Sequence, residues 1–171
     1  MGTNIAVATR SRLVVSATIA LYLGAIVAAN LLATHYGAKA TPYIAFALIG
    51  ADLTSRDTLH DVWTKNRWLR LGILIAAGGI LSYVLNADAG KVAVASVVAF
   101  TSAAIVDTAI YTAVRADWQR RVMLSNVCAA AVDSVLFLWI AFGVFGAITF
   151  AQFCAKVAGG AVWALALGWR K

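Results

Sequence analysis

Hydrophobic residues run along this chain in long unbroken stretches, and the polar connections between them are short. Six stretches can be drawn: Leu13–Thr34, Thr41–Trp63, Trp68–Leu85, Lys91–Val114, Gln119–Phe142 and Gly146–Trp169. Each is close to the ~20 residues that a helix rising about 1.5 Å per residue needs to cross a hydrocarbon core of about 30 Å. None alternates apolar and polar positions in the two-residue rhythm of a membrane strand, which argues against a β-barrel. Pro42 is the one proline, so these stretches lack the usual helix breaker in their interiors. The pattern predicts an all-α fold, an integral membrane bundle of six transmembrane helices forming a single domain over residues 1–171. The second stretch is the least regular, because its later half, from Asp52 to Asp61, is strongly polar.

Composition strengthens that reading. The chain is 63% hydrophobic and 12% charged, with a mean hydropathy of +0.86. A soluble domain is about half apolar and about a quarter charged, so the natural surroundings of this chain are the lipid bilayer. A net charge of +7 would suit nucleic acid. The bases, however, lie between apolar stretches and not along one face, so no nucleic-acid partner is expected. With the N-terminus in the cytoplasm, that side receives Arg10, Arg12, Lys65, Arg67, Arg70, Arg115, Arg120, Arg121, Arg170 and Lys171. The other side receives only Lys39 and Lys91. Such a bias predicts a multi-pass protein of the cell (inner or plasma) membrane with both termini cytoplasmic. Cys128 and Cys154 lie inside apolar stretches and read as small buried packing residues.

Arg56 and Lys156 fall within or at the edge of stretches, together with Asp52, Asp57, Asp107 and Asp133. A charge near a helix centre costs roughly 2.5–3.5 kcal/mol on insertion. These side chains must therefore face the bundle interior or water and pair where partners exist. Four acids meet two bases, which leaves two carboxylates to be protonated, hydrated, bound to a cation or met by donors on a ligand. Helical spacing groups them further. Asp52, Arg56 and His60 share one face, beside Asp57 and Asp61; Asp107 and Tyr111 are four apart; Asn126 and Asp133 are seven apart. Gln152, Lys156 and Trp163 share a stripe, and Asn30 adds an amide to the first helix. Asp133 and Lys156 come to similar depth on neighbouring helices, so an ion pair is expected there. That pair reads either as structural or as ligand-contacting, and Asn30 and Asn126 either as interhelical hydrogen-bonding groups or as ligand contacts. The candidate solute-binding set is Asp133, Lys156, Gln152, Asn126, Asp107, Asn30 and Trp163. Asp52, Arg56, Asp57 and Tyr111 are candidates for coupling or gating, with a solvated helix end as the plainer reading of the first three.

Three segments resemble one known family. Ser125-Asn-Val-Cys-Ala-Ala-Ala-Val-Asp133-Ser-Val-Leu-Phe-Leu-Trp-Ile-Ala-Phe-Gly143 resembles the fifth helix of the queuosine precursor transporters, also called vitamin-uptake-transporter-like proteins. Phe150-Ala-Gln152-Phe-Cys-Ala-Lys156 is similar to that family's Gln-x-x-x-Lys helix, and Phe100-Thr-Ser-Ala-Ala-Ile-Val-Asp107-Thr-Ala-Ile-Tyr111 to its Ser-Glu-x-x-Asp helix. Arg56-Asp57 with Asp61 is similar to the acidic end of its second helix. The departures are Ser102-Ala103, where larger members carry Ser-Glu, and the replacement or loss of the second-helix Glu. The resemblance implies import of a 7-deazaguanine, such as a cyano- or aminomethyl- precursor of queuosine, or of a related purine-like base. A carboxylate, Asp133 or Asp107, would accept the paired N–H groups of the guanine-like edge, and Lys156, Asn126 or Gln152 would donate to its carbonyl.

Other function classes compete with a self-sufficient importer. A substrate-binding membrane subunit would need a separate ATPase module, because the chain carries no Walker A motif. An ion or proton channel would need a polar stripe through the full depth of the membrane. No metalloprotease, hydrolase-elbow or Cys/His signature is present, so neither an enzyme nor a cofactor or metal is expected. Proton coupling, facilitated diffusion and homo-oligomer formation are each compatible with the sequence.

Overall fold

The computed structural model describes residues 2–49, 55, 59, 62–63, 65–115 and 118–168, and these are helical with no strand among them. Helix α1 spans Gly2–Tyr36, with Tyr22, Ile26, Ala29, Asn30 and Ala33 buried at intervals of three and four. That spacing is one helix face, turned toward the rest of the bundle. Gly37, at φ 72°, stops the helix, and its N–H donates to the Ala33 carbonyl at 2.9 Å. A 3-10 turn at Ala38–Ala40 leads into a short helix α2, Thr41–Ile44, which continues as a π turn over Ala45–Ile49. Pro42 sits in the first turn of α2, where its missing N–H costs nothing. The expected continuous second helix is therefore an α-to-π segment in its first part. Its polar half, with Asp52, Arg56, Asp57, His60 and Asp61, lies outside the described residues.

Helix α3 spans Arg67–Leu85, and α4 spans Gly90–Ala113 after a 3-10 turn at Ala87–Ala89. The Asn86 side chain caps that turn by accepting from the Asp88 N–H at 3.0 Å. Helix α5 spans Trp118–Phe142 and α6 spans Ala147–Gly168. Between them the N–H groups of Gly143 and Val144 donate to the carbonyls of Trp139 and Leu138, at 2.9 and 3.3 Å. With Gly143 at φ 68° and its N–H bonded to the carbonyl four residues back, this is an αL ending that turns the chain into α6. The first helix begins eleven residues before the expected Leu13, since residues 2–12 contain no helix breaker after Gly2.

Small residues set the packing. Helices α4 and α5 lie against one another most extensively, α1 packs on α3, and α6 packs on α5, α2 and the π turn. Ala93, Ala95, Ser96, Ala99 and Ala103 are buried on α4, so backbones approach closely, as membrane helices do without a large hydrophobic driving force. Gly159 marks the tightest approach. A Cβ built there would lie 2.5 Å from the Phe46 carbonyl oxygen in the π turn.

The exterior is apolar. Leu21, Ile73, Ile80, Val94, Ile105, Trp139 and Phe150 all point outward, an arrangement that water penalises and lipid accepts. Leu13–Tyr36, Ala87–Ala113 and Met123–Phe142 are long and apolar enough to cross a membrane, and only 33, 28 and 22% of their most apolar windows are buried. Leu69–Leu85 and Ala147–Val162 are shorter apolar helices. Connection charges such as Lys39, Lys65, Asp88, Lys91 and Arg115 are exposed.

Candidate functional site

The α5–α6 hairpin sets the site by simple counting. Asp133 lies nine residues before the end of α5 at Phe142, and Lys156 lies nine residues after the start of α6 at Ala147. Two helices that leave one tight turn and rise equally bring these residues level, about 14 Å from the turn. Lys156 Nζ donates to Asp133 Oδ2 in an ion pair, and both side chains are more than nine-tenths buried. Gln152, one turn before Lys156 on the same face of α6, is 2% exposed.

These three side chains line a partly open cavity together with Asn30 and Ser96, and Thr41 at the start of α2. Phe100 and Phe137 supply aromatic surface, and Ile26, Ile44 and several alanines complete the wall. The cavity offers about 30 Å³ to the centres of water molecules. One water needs roughly 10–15 Å³ by that measure, so about two fit.

The polar groups of the cavity are finished unequally. Both polar atoms of Asn30 have a partner in the protein: Nδ2 donates to Ser82 Oγ at 3.0 Å, and Oδ1 accepts from Ser96 Oγ at 2.6 Å. Ser82 in turn donates to the Gly78 carbonyl at 2.7 Å. One amide thus ties α1 to α3 and α4. Asp133 Oδ1 and Gln152 Oε1, by contrast, are buried and have no hydrogen-bond partner. A buried acceptor left unmet costs about 1–3 kcal/mol, which makes two of them in one cavity a chemical statement about what the cavity receives.

Four of the expected binding residues, Asn30, Asp133, Gln152 and Lys156, are therefore brought together. Asn126 is not: it is exposed. It lies seven residues, or about 10 Å along the helix, from Asp133, beyond Asp133 and Phe137, the α5 residues in the cavity wall. Asp107 does not line the cavity either. It lies seven residues beyond Phe100, the last α4 residue in the wall, which is about 10 Å along the helix. Its Oδ1 is buried without a partner, and Tyr111, one turn further, is half-buried. The side chain of Trp163 lies outside the described residues, as do Asp52, Arg56 and Asp57. Cys128 is half-buried and Cys154 exposed, so Cys154 is not the buried packing residue expected of it.

Thr41, Ser96, Phe100 and Phe137 escaped sequence reasoning. A usable signal was present for two of them, since Phe137 is four residues from Asp133 and Phe100 four from Ser96, one turn along the same face. No group of His, Cys, Asp or Glu among the described residues is arranged to hold a metal ion. Comparison with known protein families, with curated proteins and with solved structures finds no match to this chain.

Proposed function

We propose that the protein is a membrane transporter that imports a small, flat, polar solute, a 7-deazaguanine or related purine-like base, through the cavity between α1, α4, α5 and α6. One observation carries this reading. Asn30, Asp133, Gln152 and Lys156, from three separate helices of an apolar bundle, converge on one partly open space. Ionisable side chains inside such a bundle are expensive and cluster where a solute or ion passes. The base itself is suggested by the likeness of the Asp133, Gln152 and Lys156 segments to the queuosine precursor transporters. Phe100 and Phe137 offer aromatic surface to a flat ring. A space for about two waters admits a ring only as its wall moves outward, and the wall formed by α2 and the π turn is the least regular part of it. The same reading takes six spans, both termini on the cytoplasmic side and residence in the cell's plasma or inner membrane, in line with the Lys and Arg bias of the connections.

Uptake of labelled 7-deazaguanine base into cells tests it, with wild type compared with Asp133→Asn and Lys156→Met. A charge-assisted hydrogen bond contributes about 1.5–3 kcal/mol, so each variant should lose roughly tenfold to a hundredfold in apparent affinity. Uptake unchanged in both would remove this cavity from the transport path.

A further inference from the structure

We infer that the cavity selects an electrically neutral solute that brings N–H donors, and discriminates against a cation of the same shape; this rests on the transport reading above and names the chemical class of its solute. The first ground is the pair of unmet acceptors. Asp133 Oδ1 and Gln152 Oε1 both belong to side chains that line the cavity, and neither accepts a hydrogen bond. Both residues are at least nine-tenths buried, so bulk water does not serve them freely. Each is satisfied by a solute N–H and repelled by a second acceptor, which disfavours carboxylates and phosphates.

The second ground is charge balance. Among the described residues the cavity wall holds one acid and one base, Asp133 and Lys156, and these are joined to one another. Their sum is zero. A cation could give hydrogens to the same two acceptors, but among the described residues it would find the wall's one acid already paired and would face the Lys156 ammonium beside it. The desolvation of a charge is repaid only by a matched partner, and the matching partner is already taken. A neutral ring with adjacent N–H groups meets both acceptors without that loss.

The test uses the full chain purified in mild detergent and two ligands that share a ring and differ by one positive charge, 7-cyano-7-deazaguanine and 7-aminomethyl-7-deazaguanine. Calorimetry should give the neutral base a Kd about tenfold or more below that of the cation, equivalent to about 1.4 kcal/mol or more. Gln152→Glu adds a carboxylate of nearly the same shape while keeping the ion pair, and should reverse the order. Should that variant fail to fold, Lys156→Met leaves Asp133 uncompensated and carries the same comparison. Equal binding of both bases by the wild type, or an order unchanged in the folded variant, overturns the selection of neutral solutes and leaves the transport reading standing. Binding of neither base overturns both.

Discussion

On the α1 wall of the cavity, Asn30 donates to Ser82 and accepts from Ser96, so its polar atoms are held by the protein itself. On the α5–α6 wall, Asp133 and Gln152 each keep a buried oxygen that meets no donor. The two walls use side chains of similar polarity and similar burial. Their difference lies in completion: one amide closes a three-helix junction, while the other groups are built, ion pair included, and then left one hydrogen bond short. A wall finished by its own neighbours belongs to the architecture. A wall left unfinished is where, in the transport reading proposed above, a solute would contribute the missing bonds.

The strongest way to break this contrast is to split the ion pair. Asp133→Leu leaves the Lys156 ammonium buried and unpaired, which should cost about 3–5 kcal/mol of stability. Adding Lys156→Met should recover most of that loss, because two well-packed apolar residues replace a buried pair at little cost. Denaturant unfolding in detergent reads both. If the double variant is as unstable as the single one, the pair is not the source of the cost. A smaller effect is expected where α6 presses on the π turn. Gly159→Ala places a methyl 2.5 Å from the Phe46 carbonyl oxygen, which is backbone and cannot turn away. Overpacking of this kind costs about 1–3 kcal/mol. Gly78→Ala should cost less, because its methyl meets only the Ile26 side chain, at 2.7 Å. The smallest difference separates the two asparagines. Asn30→Ala removes two interhelical hydrogen bonds worth roughly 0.6 kcal/mol each in a membrane protein, and at most about 1.7. Exposed Asn126→Ala should change stability by less than about 0.5 kcal/mol and leave uptake intact.

Much of this arrangement was legible before any coordinates. Apolar runs place α3 to α6 and the end of α1 within a few residues of where they lie, because helix length and polarity are local properties; the start of α1 was set eleven residues too late. The Asp133–Lys156 pair was legible too, since a tight turn between two helices fixes depth by counting. Asn126 was misplaced because a shared helix face does not fix depth: it lies about 10 Å along α5 from Asp133, beyond the residues that line the cavity. The Asn30 junction was invisible. Ser82 and Ser96 are single hydroxyls in apolar runs, and only the lateral order of the helices brings both to the same amide. The π turn at Ala45–Ile49 was equally hidden, because nothing in Ala-Phe-Ala-Leu-Ile departs from ordinary helical composition.

The closed pair of Asp133 and Lys156 has a consequence for voltage. A lone charge crossing the membrane potential gains or loses about 2.3 kcal/mol for every 100 mV. Two opposite charges that travel together contribute no such work. In the transport cycle proposed above, a joined pair would therefore make the movement of α5 and α6 around the cavity add no electrical work of its own.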